Sequence, residues 1–148
     1  LLSKIKDPEQ LLKILNHDFC ANRYLEHNTE IKALRAGVVK LSEINQAYTP
    51  GTAEDLISAW LLSLSMYVRI EVDKKLIQEI ARELYKEIFM LNIAELTLFF
   101  SKLRRGIYGP LYGRFDGMMI CIAAREYRQT RGTELAKLPS EEQKQITA

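Results

Sequence analysis

Scarcities set the first limits on this 148-residue chain. It has two cysteines, Cys20 and Cys121, a hundred residues apart, which make neither a CxxC pair nor a disulfide framework. That usage implies a reducing, cytoplasmic setting. It has two histidines, His17 and His27, flanking Cys20. An HxxC pair with a distant third ligand is one metal reading, but four ligands at metal-site spacing are missing, so Cys20 reads as a small apolar residue. No metal and no cofactor is expected. No nucleophile, base and orienting group assemble by type and spacing, so no catalytic residues are assigned and the chain reads as a non-enzyme. The Walker pattern is absent. The most apolar run, Ile57 to Val68, is broken by three serines and falls short of the ~20 residues a membrane span needs. No basic stretch followed by an apolar core opens the sequence as a targeting signal would.

What is present is helical. With 47% apolar and 27% charged residues the chain lies in the ordinary globular range. Asp7-Pro8 reads as an N-cap with proline at the first helical position, opening a helix to about Asn16. Asp18 to Ala47 carries two helices, with Asn28 or Thr29 as a restart signal. Thr52 and Asp55 resemble a capping box before an almost wholly apolar helix, Ala53 to Arg69, expected to be the central one. Asp73 caps a surface helix of clean 3.6 periodicity. Asn92 and Glu95 form a second capping box, on a helix stopped by Gly106. Asp116 caps a last helix from Gly117 to about Arg131, with Met118, Met119, Ile122, Ala123 and Tyr127 inward. The expected fold is all-α, an irregular bundle of about six helices with no sheet. It forms one domain over residues 1–131, with an N-terminal subregion 1–50 and a core 52–131. A polar tail follows over 132–148, carrying at most one helical turn after Pro139.

Four of the chain's seven glycines fall in GIYGPLYGRFDG, Gly106 to Gly117. Turn chemistry explains them: Gly106 ends a helix, Gly109 and Pro110 turn the chain, and Tyr108, Leu111, Tyr112 and Phe115 clamp the loop to the core. GxxG at Gly106 to Gly109 could also admit an anion to backbone N–H groups. Charge favours a partner. Residues 102–131 hold seven basic and two acidic side chains, a balance of +5, while the rest of the chain holds fourteen and seventeen, or −3. Basic residues interleaved with Tyr108, Tyr112 and Phe115 suit phosphates and stacked bases. Arg104, Arg105, Arg128 and Arg131 also suit helix C-termini, whereas Arg114, in mid-loop, is served by no dipole.

The stretch Leu91 to Arg131 resembles the C-terminal motif of an uncharacterised family of small helical proteins from Bacteroidetes bacteria, their phages and mobile elements. That motif reads roughly LTLAD, LFF, a basic residue, GxYGxxYxRxDG, then a helix ending YxxER. The matching positions here are Ile93 to Leu98, Phe99, Phe100, Arg105, Gly106, Tyr108, Gly109, Tyr112, Arg114, Asp116, Gly117, Tyr127 and Arg131. Asn92 and Ile93 depart from the family's opening, as does Thr130 where the glutamate falls. The resemblance implies a helical, non-enzymatic accessory protein tied to DNA replication or mobile-element maintenance.

The sequence therefore points to nucleic acid, or a replication-type protein partner, bound through Arg105, Tyr108, Tyr112, Arg114, Arg125 and Arg128. The alternative is a protein interaction module or homodimer in which the loop is only a clamp and the apolar helix 53–69 meets another subunit. No membrane partner is expected.

Overall fold

The computed structural model describes residues 4–111 and 113–148. Among them nine helices form and no strand does: α1 Pro8–Ile14, α2 His17–Arg23, α3 Glu30–Leu34, α4 Leu41–Ala47, α5 Thr52–Val68, α6 Lys74–Ile88, α7 Ile93–Arg104, α8 Gly117–Ala136 and α9 Ser140–Thr147. The fold is all-α. One cluster of buried apolar side chains runs from Ile5 to Tyr127, and among the described residues no helix is long and apolar enough to cross a membrane.

Local chemistry sets most boundaries. Asp7 accepts the Glu9 N–H at 3.1 Å, with Pro8 opening α1. Asn16 belongs to the next helix, accepting the Phe19 N–H at 2.9 Å as the α2 N-cap. Asp18 to Ala47 holds three helices rather than two: Thr29 caps the five-residue α3, and Gly37, at φ +67°, lies in the break before α4. The capping box expected at Thr52 and Asp55 does not form. Gly51 occupies the N-cap at φ +96°, the Thr52 hydroxyl donates to the Thr49 carbonyl at 2.7 Å, and the free Ala53 N–H goes to Asn45 Oδ1 of α4 at 2.7 Å. A neighbouring helix thus does what the local sequence was expected to do.

Helix α5 packs on α1, α2, α4, α6 and α7, as a central helix does, but α7 is the more completely buried. Every residue from Ile93 to Phe100 is buried, whereas α5 leaves Leu62, Met66 and Tyr67 exposed. Its capping box is complete: Asn92 Oδ1 accepts the Glu95 N–H at 2.8 Å and Glu95 Oε1 accepts the Asn92 N–H at 3.1 Å. Trp60 ties α5 to the N-terminal region by donating its indole N–H to the Leu15 carbonyl at 2.9 Å.

The C-terminal region also differs from expectation. Helix α8 continues through Gly132 to Ala136 and turns Ile120, Ala123, Ala124 and Tyr127 inward, leaving Met118 and Ile122 exposed. Residues 140–147 form a two-turn helix rather than a frayed tail. Arg35 holds α9 through both Glu142 oxygens, at 2.8 and 3.0 Å, and Lys40 Nζ donates to the Ile146 carbonyl at 2.6 Å. A polar sequence hides this docking because it rests on those polar contacts and on no fully buried α9 side chain.

Candidate anion-binding site

The glycine-rich loop begins as a Schellman stop. Gly106, at φ +71°, donates to the Leu103 carbonyl and Ile107 to the Lys102 carbonyl, both at 3.1 Å, which is the paired ending of an α-helix that glycine permits. Tyr108 then lays its ring 5.8 Å from that of Phe99, Phe115 is buried, and Leu111 packs on the core. Burial pushes the Tyr108 hydroxyl well above the ordinary tyrosine range. Asp116 closes the loop by accepting the Met118 and Met119 N–H groups at 3.1 and 3.2 Å. The described loop residues therefore build a clamp and a cap. Tyr112, the other aromatic proposed for stacking, lies outside the described residues.

The basic side chains that sequence grouped together separate in space. Lys102 pairs with Glu30 of α3. Arg125 and Arg128 both reach Glu87 of α6, at 3.3 and 2.8 Å, and so tie α8 to α6. Arg131 binds the buried Glu95 at 2.5 Å. Three carboxylates from outside the loop and α8 thus answer four of the seven cations. Arg114, about four-fifths exposed, makes among the described residues a single 3.5 Å pair, with Asp116, a contact of the kind that contributes little in water. Arg105 is exposed with no ion pair or side-chain hydrogen bond among the described residues. Of the proposed contacts, Arg105 and Tyr108 remain beside the end of α7, Arg114 stands out from the loop, and Arg125 and Arg128 belong to the α6–α8 face.

A different cationic site, unforeseen in the sequence, lies where α2, α5 and α7 meet. A hollow of about 370 Å³ is lined by Arg104, Arg105, His17 and His27, with Tyr24, Tyr67, Leu25 and Leu98 among its apolar walls and no carboxylate in its lining. Arg104 crosses it. One guanidinium nitrogen donates to Ser63 Oγ at 2.8 Å and lies 3.3 Å from His17 Nδ1, and the group sits 4.8 Å from the centre of the Tyr67 ring. Its Nε, with His27 Nδ1, is buried without a hydrogen-bond partner. His17 meets Trp60 edge-on at 5.4 Å.

Burial first, and the Arg104 charge second, lower the pKa of His17, against the opposing pull of the exposed Asp18 carboxylate. A bare Nδ1 then accepts a hydrogen bond from Arg104, whereas a hydrogen bond to the Asp18 carboxylate would require Nδ1 to carry a proton. The stability consequence has a definite sign. Because the folded-state pKa lies below the unfolded value of 6.5, the unfolded chain takes up the proton first, and stability is lost as pH falls below about 6.5. The melting temperature of the wild type is expected to drop more between pH 7 and 5.5 than that of His17→Gln. Parallel profiles for the two would refute the assignment.

The other notable hollow, about 440 Å³, runs between α6 and α8, with Leu76, Ile80, Met118 and Ile122 in its lining. The helices approach closely here because a Cβ on Gly117 would stand 2.8 Å from Ile80 Cγ1. Neither cysteine is poised as a thiolate: burial pushes the Cys20 thiol up to about 12 and also raises that of Cys121. Among the described residues no three His, Cys, Asp or Glu side chains gather at metal-binding distance.

No protein-family model, no curated protein and no solved structure matches this chain. The resemblance of residues 91–131 to the Bacteroidetes family therefore rests on the quoted residues alone.

Proposed function

We propose that this protein is a helical, non-catalytic binding module that takes nucleic acid at the cationic end of α7, with Arg105 and Arg114 as outward phosphate contacts. One observation carries the reading: beside Arg105 lies a hollow lined by two arginines and two histidines and by no acidic side chain. Such a surface attracts phosphate without a like charge to repel it. Arg125 and Arg128, held by Glu87, become bracing between helices in this reading, and Tyr108 a clamp.

Fluorescence anisotropy with labelled single-stranded and duplex DNA and RNA tests it. Binding is expected at about 50 mM salt and should weaken steeply toward about 200 mM. Arg105→Glu should cost about tenfold or more, and Arg125→Ala little, since a phosphate contact contributes about one unit to the salt slope and a bracing arginine none. Failure of every oligonucleotide to bind at low salt would overturn the proposal.

Self-association is the second reading, and the α6–α8 hollow favours it over the α5 face. Exposed Leu76, Met118 and Ile122 border it, with Glu79 and Glu83 on the α6 wall and Arg125 on the α8 wall. Glu83 is paired with Lys86 and Arg125 with Glu87 inside the chain, so the exposed apolar side chains are what a second copy turned by a twofold axis would cover. Light scattering should then give a dimer that Met118→Glu dissociates without unfolding the chain, Met118 being 77% exposed. A monomer at every concentration removes this reading.

A further inference from the structure

We propose that the hollow among α2, α5 and α7 seats a single unpaired nucleotide, with its phosphate on Arg104 and Arg105 and its base against the Tyr24, Leu25 and Leu98 wall. The inference deepens the nucleic-acid reading by naming what the cationic end of α7 recognises, and it rests on that reading only for the polymer.

Size comes first. About 370 Å³ lies near the lower end of small-molecule pockets, room for one nucleotide and too little for a duplex. Chemistry comes second. The lining joins a cationic side to an apolar, aromatic one, the combination that a charged phosphate attached to a flat base requires. No carboxylate lines the hollow: Glu30 is occupied by Lys102, and Asp18, 3.2 Å from His17 Nδ1 and close enough to act on the Arg104 charge, stands exposed outside the lining and offsets part of the positive charge.

Unsatisfied polar atoms are the third argument. Among the described residues, two of the three buried side-chain atoms without a partner, Arg104 Nε and His27 Nδ1, belong to residues of this one lining. A buried guanidinium N–H without an acceptor is costly, and a small turn of the Arg104 head toward a phosphate oxygen supplies the acceptor. A phosphate would also oppose the Arg104 charge at His17, whose pKa burial first and that charge second lower.

Both histidines of the chain line the hollow, so their ring NMR signals report on it directly. The full-length protein would be titrated with adenosine and uridine 5′-monophosphates, the parent nucleosides, inorganic phosphate, and a short single-stranded oligonucleotide. Saturable shifts of both histidines with the monophosphates are expected. Nucleoside and phosphate alone should bind at least about tenfold more weakly. Arg105→Ala, at an exposed position, should weaken the monophosphates severalfold with an unchanged melting temperature, and Arg104→Gln more strongly. Monophosphates that move neither histidine overturn the inference. So does inorganic phosphate that binds as tightly as a nucleotide, since the base then contributes nothing. An oligonucleotide that binds while leaving both histidines unmoved refutes the seat and spares the nucleic-acid reading. Monophosphate binding without oligonucleotide binding does the reverse.

Discussion

Arg131→Met is expected to destabilise the fold by about 3–5 kcal/mol, because it strands a carboxylate in the interior. The Glu95 side chain is 1% exposed and that of Arg131 11%. Arg131 Nε donates to Glu95 Oε2 at 2.5 Å and a second guanidinium nitrogen to Oε1 at 3.4 Å. Oε1 also accepts the Asn92 N–H, and the Asn92 amide donates to the Ala33 carbonyl at 3.0 Å. One buried polar network therefore joins the start of α7 to α3 and to the middle of α8. Removing the guanidinium leaves the charge with the Asn92 N–H alone. Glu95→Gln in the same background removes the charge while keeping an oxygen for the α7 cap, so the double variant should recover much of the loss. Urea denaturation with a constant m-value measures both. A single-variant loss below about 1 kcal/mol would mean that the pair is effectively solvated.

Those residues also show what was and was not legible. Asn92 and Glu95 were readable as a capping box because the box is a local pattern, and so were the caps at Asp7, Asp73 and Asp116. That Glu95 is also the partner of Arg131, 36 positions away, follows only from packing α7 against α8. The same limit governs the charge argument. A window of sequence over 102–131 counts Arg125, Arg128 and Lys102 as a basic cluster, whereas in space Lys102 pairs with Glu30 and the two arginines share Glu87. Periodicity found α6 and the existence of α8. On α8 it places Ala123 and Tyr127 inward correctly and Met118 and Ile122 wrongly, since those two are as apolar as the positions that turn inward. The near-complete burial of α7 is not legible because its apolar residues look no more enclosed in sequence than those of α5.

The hollow on α2, α5 and α7 was invisible for a related reason. Each of its polar residues had an adequate local explanation: Arg104 as a cation at a helix C-terminus, His17 and His27 as neighbours of a cysteine. Only the crossing of three helices brings them into one lining. Ser63 shows the same thing, a hydroxyl that merely interrupts an apolar run in sequence and accepts from Arg104 in the fold.

Phe99→Ala should be comparably severe, at about 3–5 kcal/mol, and its effect should fall unevenly. Phe99 is completely buried, and its ring stands 5.7 Å from Phe100, 5.8 Å from Tyr108 and 5.8 Å from Tyr127. It is the contact through which the glycine-rich loop grips α7 and through which α7 meets the buried face of α8. Phe99→Leu keeps most of the volume and should cost far less, though it also loses the ring-to-ring geometry with Tyr108. Hydrogen exchange distinguishes packing from clamping. If Tyr108 holds the loop through Phe99, amides from Ile107 to Leu111 should lose protection in both variants, and those of α6, which the Phe99 ring contacts do not reach, should follow only the global loss. A Phe99→Leu protein with a wild-type exchange pattern in the loop would show that the glycines and the Asp116 cap hold it unaided, and that the aromatic pair adds burial without fixing the loop's path.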